Sequence, residues 1–250
     1  MSPQSAKTTT SRTTKSRLWL SGLVLLATLT SWAQVTSATT EIKSLDLDLI
    51  LQRLEDAQHQ NSARSRSYEV TREYKVFRGY DKQPASEVMA QIDFVPPDLE
   101  TYKIIRVRGN SSGERMVREI LDRETEADKK AQDAEISRKN YDFIFLRRQD
   151  FGGVPEYVLG IFPKRKDKNL LLGQIWVDEG TFHIRRIEGV PAKSPSFWLK
   201  NIHITLQCAE LDGMWVLVSI DAIATVRFLG QYALAGVDVR SSKYLSAAPK

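Results

Sequence analysis

Along most of this chain apolar and polar residues alternate with a period of two, and in two stretches the spacing turns helical. Leu47, Ile50, Leu51, Leu54 and Ala57 recur at helical spacing with Asp46, Asp48, Gln52, Arg53 and Glu55 opposite them. This predicts an amphipathic helix from Ser44, its N-cap, to about Gln60. Three strands follow at Ser67–Phe77, Glu87–Val95 and Glu100–Arg108, separated by turn-rich segments. Ser112 to Lys139 is heavily charged, with Met116, Val117, Ile120 and Leu121 at helical spacing, and reads as one long helix or two shorter ones. Period two then returns in Tyr141–Arg147, Pro155–Phe162, Leu171–Asp178, Phe182–Gly189, Lys200–Leu211, Met214–Thr225 and Arg227–Tyr244. Ile202, Ile204, Leu206 and Cys208 alternate with polar residues, as do Val216, Val218 and Ile220 with Leu217, Ser219 and Asp221. Half-buried antiparallel strands alternate in this way, whereas strands of a parallel sheet are apolar throughout. The expected fold is mainly β (α+β). Its curved antiparallel sheet has about ten strands, and the helices lie over the apolar face.

The first 33 residues stand apart from this pattern. Arg12, Lys15 and Arg17 precede the apolar run Leu18–Leu29, and Ser31-Trp32-Ala33 supplies small residues at a cleavage site. A spanning helix needs about 20 apolar residues, so the run reads as a removable export signal. Residues 34–43 are Thr/Ser-rich and aperiodic and are expected to form a flexible leader, with a single domain over 44–246. The signal also changes the charge. The whole chain is formally +5, but four of its 36 basic residues and none of its 31 acidic ones precede Ala33, leaving 32 against 31. Nucleic-acid binding needs a concentrated basic excess, and a net +1 does not supply it. Cys208 is the only cysteine, so an intramolecular disulfide, a thiolate metal site and a lipid-bearing cysteine at the cleavage point are all excluded. The expectation is a periplasmic monomer.

Candidate chemistry is sparse. Gly109-Asn110-Ser111-Ser112-Gly113 matches G-x-S-x-G, which would make Ser111 a nucleophile. The context does not fit: charges run through Tyr102–Arg108, no oxyanion loop precedes it, and βαβ alternation is missing. His59, His183 and His203 have no metal-ligand spacing, and no phosphate-cradling glycine motif occurs. No catalytic residue, metal or cofactor is therefore expected. The run Pro163–Lys168 (PKRKDK) is a basic loop tip, either solvated or touching anionic phospholipid or an acidic partner.

A further group of residues carries a resemblance. Tyr157-Val158-Leu159, the basic run, Gly173-Gln174-Ile175-Trp176-Val177-Asp178, Phe182–Gly189 and Pro191–Trp198 form an ordered series. Asn140-Tyr141-Asp142-Phe143 precedes it, and Thr225-Val226-Arg227-Phe228-Leu229-Gly230 closes it. Together these resemble the outer-membrane lipoprotein-sorting protein family, the LolA-like superfamily. The resemblance implies an open half-barrel whose apolar concave face, closed by helices, binds acyl chains of lipids or lipoproteins and carries them across the periplasm. On that reading the cavity wall comprises Phe143, Phe145, Leu159, Ile161, Val177, Ile184, Ile202, Ile204, Val216 and Val218. Partners would be the acyl chain and an inner- or outer-membrane protein. The alternatives are an envelope-stress sensor or interaction module on the same fold and, with less support, a serine hydrolase using Ser111.

Overall fold

The computed structural model of the protein describes residues 31–96, 99–128 and 131–242. The expected export signal lies outside the described residues as far as residue 30. Contacts divide the chain into two compact units, Met1–Ser44 and Leu45–Lys250. The sheet lies wholly in the second.

Ten strands form one antiparallel sheet: β1 (Tyr68–Arg78), β2 (Ser86–Val95), β3 (Leu99–Gly109), β4 (Tyr141–Phe151), β5 (Val154–Pro163), β6 (Leu171–Asp178), β7 (Ile184–Pro191), β8 (Leu199–Leu211), β9 (Met214–Val226) and β10 (Gly230–Ser242). Their order is β3-β2-β1-β10-β9-β8-β7-β6-β5-β4. Every neighbour but one is also a neighbour in sequence, and β10 returns to pair with β1. The outermost strands, β3 and β4, do not pair with each other, so the sheet is open. Three helices accompany it, α1 (Ser31–Ala63), α2 (Ser111–Asp128) and the single turn α3 (Ala131–Ala134).

The expected strands and helices are all present, with three differences. Helix α1 starts at Ser31, so Ser44 lies within a helix and is not its cap. Val35, Ala38, Ile42 and Leu45 continue the three-to-four spacing upstream, which the Thr/Ser-rich composition masks. Strand β4 runs four residues beyond Arg147, because Gly152 and Gly153, both with positive φ, place its turn later. Strand β10 starts at Gly230, because residues 227–229 make the preceding turn.

The apolar face is continuous. Following direct register partners across the sheet, Leu159, Ile175, Ile187, Leu206, Ile220, Gly236, Tyr74 and Val88 form one row over eight strands. A glycine is required in this row, since a β-carbon on Gly236 would lie 2.8 Å from the Tyr74 ring and from Ile220. Two helices cover the row. Helix α1 seats Ile50, Leu51 and Leu54 on Tyr141, Leu159, Ile161, Ile175 and Val177. Helix α2 seats Val117 and Leu121 on Val70, Tyr74, Val88, Ala90 and Ile92. Asn110 caps α2, its side-chain oxygen accepting the Gly113 N–H at 2.9 Å. Register irregularities interrupt β1/β10, β2/β3, β4/β5, β6/β7 and β8/β9. Each adds local twist, which is how an antiparallel sheet of this width curls.

Replacing Gly236 by Ala overpacks the row and is expected to cost about 1–3 kcal/mol. In urea denaturation the midpoint should fall with the slope unchanged.

Candidate ligand-binding face

The register separates the ten expected wall residues into two groups. Leu159, Ile161 and Val177 are fully buried beneath α1, with Phe143, Phe145 and Ile184 packed around them. These six form the floor under a helix. Ile202, Ile204, Val216 and Val218 are half-buried and belong to neither helix-covered cluster. Within this second group Val216 and Val218 do not continue the row of Ile220. A bulge leaves Val218 without a register partner between Gln207↔Ser219 and Cys208↔Leu217, so Val216 falls opposite Ala209. One extra residue reverses the alternation, which a strict period-two reading of the sequence does not register.

Ile204 lies in a second row, Ile161-Gly173-Gly189-Ile204-Ala222-Leu234. Its middle is made of small side chains. Gly173 and Gly189 face each other directly, and a β-carbon on either would lie within 2.5 Å of a backbone oxygen of the partner strand. Gly173, Ile204 and Ala222 are half-buried and lie outside both helix-covered clusters. The row is low at Gly173, Gly189 and Ala222, with Ile204 as the one large side chain among them, and forms a shallow trench. Glycine inside a strand commonly marks close approach of another backbone, here that of the facing strand. The sequence contains this signal at Gly173 and Gly189, but only the register shows that the two are paired.

The helices flanking the trench are fastened by polar contacts. Asn61, near the end of α1, donates to the Trp215 carbonyl at 2.8 Å and accepts the Trp215 N–H at 2.7 Å. Gln58 donates to the Ile136 carbonyl, and Glu55 takes a forked ion pair from Arg138 at 2.7–3.2 Å. On the other side Arg72, 5 % exposed, bonds Asp238 at 2.5 Å and the Leu217 carbonyl, and reaches Glu124 of α2 at 3.4 Å. Burial works against the Arg72 charge, but the bond to Asp238 and the charge of Glu124 outweigh it and keep the guanidinium protonated. Burial raises the Asp238 carboxyl, and Arg72 opposes that shift. The alternating pattern of β1 places Arg72 on the apolar side, but its partner Asp238, 166 residues away, is not legible in the sequence.

The residues with nucleophilic or metal-binding potential stand apart from one another. Ser111 is exposed at the start of α2, beside the edge strand β3. His183 stacks on Trp215 with ring centres 5.1 Å apart, and His203 contacts Glu188 at 3.0 Å, both far across the strand order from Ser111. The antiparallel edge position also differs from the central parallel strand that a nucleophile elbow requires. Burial pushes the Cys208 thiol up to about 11, away from reactivity.

The chain is similar in structure to LolA-superfamily proteins. An outer membrane lipoprotein-sorting protein domain from Vibrio parahaemolyticus aligns with a TM-score of 0.41 and 13% identity, over 78% of this chain and 93% of that one. A DUF1329 family protein from Desulfovibrio piger gives a TM-score of 0.39 and 13% identity, over 81% and 94%. The LolA superfamily protein NE2245 from Nitrosomonas europaea gives 0.34 and 12%, over 81% and 94%. No protein-family model and no curated protein matches the sequence. At these identities the likeness is one of fold alone.

Replacing Arg72 by Met alone leaves Asp238 buried without its cation and is expected to cost about 3–5 kcal/mol by chemical denaturation. Adding Asp238→Leu should recover much of that loss. The Arg138 pair holds the Glu55 carboxyl below its ordinary pKa. A depressed carboxylate contributes stability above its unfolded pKa and loses it as pH falls through the folded one. Glu55→Gln should therefore lower the melting temperature at neutral pH, and the difference from the parent should vanish in acid.

Proposed function

We propose that the chain is a periplasmic carrier or binding protein for acylated ligands, a lipid or a lipoprotein, without catalytic activity. The trench at Gly173, Gly189, Ile204 and Ala222 carries this reading: it is an apolar concave strip that the chain's own helices leave half-covered. An extended acyl chain is the ligand shape that suits a long strip of small side chains between two helices. Each methylene transferred from water contributes about 0.8 kcal/mol, so a chain of ordinary length supplies ample affinity. The export-signal pattern at the N-terminus supports the compartment, and the separation of Ser111 from His183 and His203 across the strand order supports the lack of catalysis.

Native mass spectrometry of protein purified from membrane-containing lysates, without detergent exchange, is the test. Co-purified lipid or lipoprotein acyl mass is expected, and it should reload after delipidation. Ile204→Asp puts a charge in the trench and should lower reloading by roughly tenfold or more. Apo protein that takes up no added lipid would refute the reading, and a stoichiometric protein partner bound without lipid would favour the sensor alternative.

A further inference from the structure

Four turns meet at one end of the sheet, and their side chains differ from those at the other end. The β5–β6 turn touches the β7–β8 loop through Ala192 N–H to the Leu170 carbonyl at 2.7 Å. That loop joins the β9–β10 turn through Arg227 N–H to the Trp198 carbonyl at 2.8 Å. The β9–β10 turn joins the β1–β2 turn through Gly79 N–H to the Gln231 carbonyl, also at 2.8 Å. The four therefore make a continuous rim.

At its centre is an aromatic cluster turned towards solvent. Phe197 and Trp198 have ring centres 4.2 Å apart, and Trp198 meets Phe228 at 6.2 Å. Phe197 is 65 %, Trp198 47 % and Phe228 86 % exposed, with Leu229 beside them at 57 %. Tyr80, on the β1–β2 turn, is 93 % exposed. Phe228 also sits at φ 67°, a left-handed conformation that disfavours a bulky side chain. A large apolar residue in that conformation, 86 % exposed, buries little of its surface in the isolated fold.

Cations surround the cluster. Lys193 and Lys200 flank Phe197 and Trp198, Arg227 lies 5.4 Å from the Phe228 ring centre, and Lys164, Arg165, Lys166 and Lys168 crowd the β5–β6 turn. Arg78 and Lys82 add to them on the β1–β2 turn, where Asp81 is the acid, and Asp167 is the acid of the β5–β6 turn. At the opposite end Glu179 pairs with Arg148 at 2.6 Å and Asp178 with Arg185 at 3.3 Å, so acids and cations there are matched. The rim turns, by contrast, carry more Lys and Arg than acids.

We infer that this rim docks on an anionic phospholipid bilayer. Trp and Tyr favour the headgroup level, Phe and Leu the acyl boundary beneath it, and each Lys or Arg near an anionic surface contributes about 1 kcal/mol. An acidic protein would pair with the cations, but Trp and Tyr beside Phe and Leu on loop tips ringed by Lys and Arg match the headgroup-to-acyl boundary of a bilayer. The trench row lies on the same side of the long apolar row as the rim, so a docked molecule would present its half-covered strip to the bilayer. The docking itself does not depend on the acyl-binding reading.

The test uses the full chain and vesicles of phosphatidylcholine with or without phosphatidylglycerol, carrying bromine-labelled acyl chains. The apolar run Leu18–Leu29 can itself enter a bilayer, so the readout must be local: fluorescence quenching at Trp198, taken as the difference between the parent and Trp198→Phe. Quenching is expected with phosphatidylglycerol, weaker without it and weaker at high salt. Lys166→Glu, Lys193→Glu and Lys200→Glu together should lower the rim's partition about a hundredfold. Should the triple reversal shift the melting temperature, the same three positions changed to Gln carry the comparison. Trp198 left unquenched by the anionic vesicles, or quenched equally in the charge variants, overturns the inference. Acyl loading measured in parallel without vesicles separates the two readings, since the rim variants should load normally.

Discussion

A wide antiparallel sheet with one apolar face cannot lie flat in water, and this constraint organises the whole molecule. The face must be turned inward by curling or covered from outside. Here both occur, because the strands are interrupted by bulges and two helices are laid across the concavity. Neither device suffices alone. Without the irregularities the rows through Leu159 and Ile161 would be too flat for helices to cradle. Without the helices some of the largest buried side chains, Tyr74, Leu159 and Ile175 among them, would face solvent. The trench is what remains where the two devices do not quite meet.

Polar contacts have a different part in this arrangement. The burial of Leu54 and Leu121 accounts for why the helices sit on the sheet, but apolar contact is tolerant of sliding. Hydrogen bonds with fixed geometry are not. The reciprocal pair between Asn61 and the Trp215 backbone, and the Arg72 contacts with Asp238 and Glu124, set where each helix lies. A buried ion pair adds little net stability compared with well-packed apolar residues, so its value at Arg72 is in position.

Most of the architecture is legible in the sequence because the alternation that marks a half-buried strand is local and recurs along the chain, as in β1 and β2. The start of α1 was not, because Ser and Thr lower helix propensity without breaking the spacing of Val35, Ala38 and Ile42. Of the candidate wall residues, Phe143, Phe145, Leu159, Ile161, Val177 and Ile184 gather in one cluster beneath α1, although the β6/β7 register slips between Trp176 and Val177. Val216 and Val218 keep period two with Ile220 in the sequence but leave its row in the sheet, because a bulge depends on how two strands pair, which neither strand reveals alone. The trench glycines were visible as strand glycines, but their direct opposition is a property of pairing. The aromatic rim was equally hidden, since Trp198, Phe228 and Tyr80 come together only when four distant turns do.

The open sheet has two lateral boundaries, and both are built in the same unusual way. Strand β3 carries an irregularity opposite Met89 and Ala90 and bears Glu100, Lys103, Arg106 and Arg108 along its length; β4 carries one between Phe145 and Arg147 and bears Asp142, Arg147, Arg148 and Asp150. An edge that is both kinked and charged is a poor template for another strand. The half-barrel can therefore leave its sides unsealed without inviting neighbours to extend it into fibres.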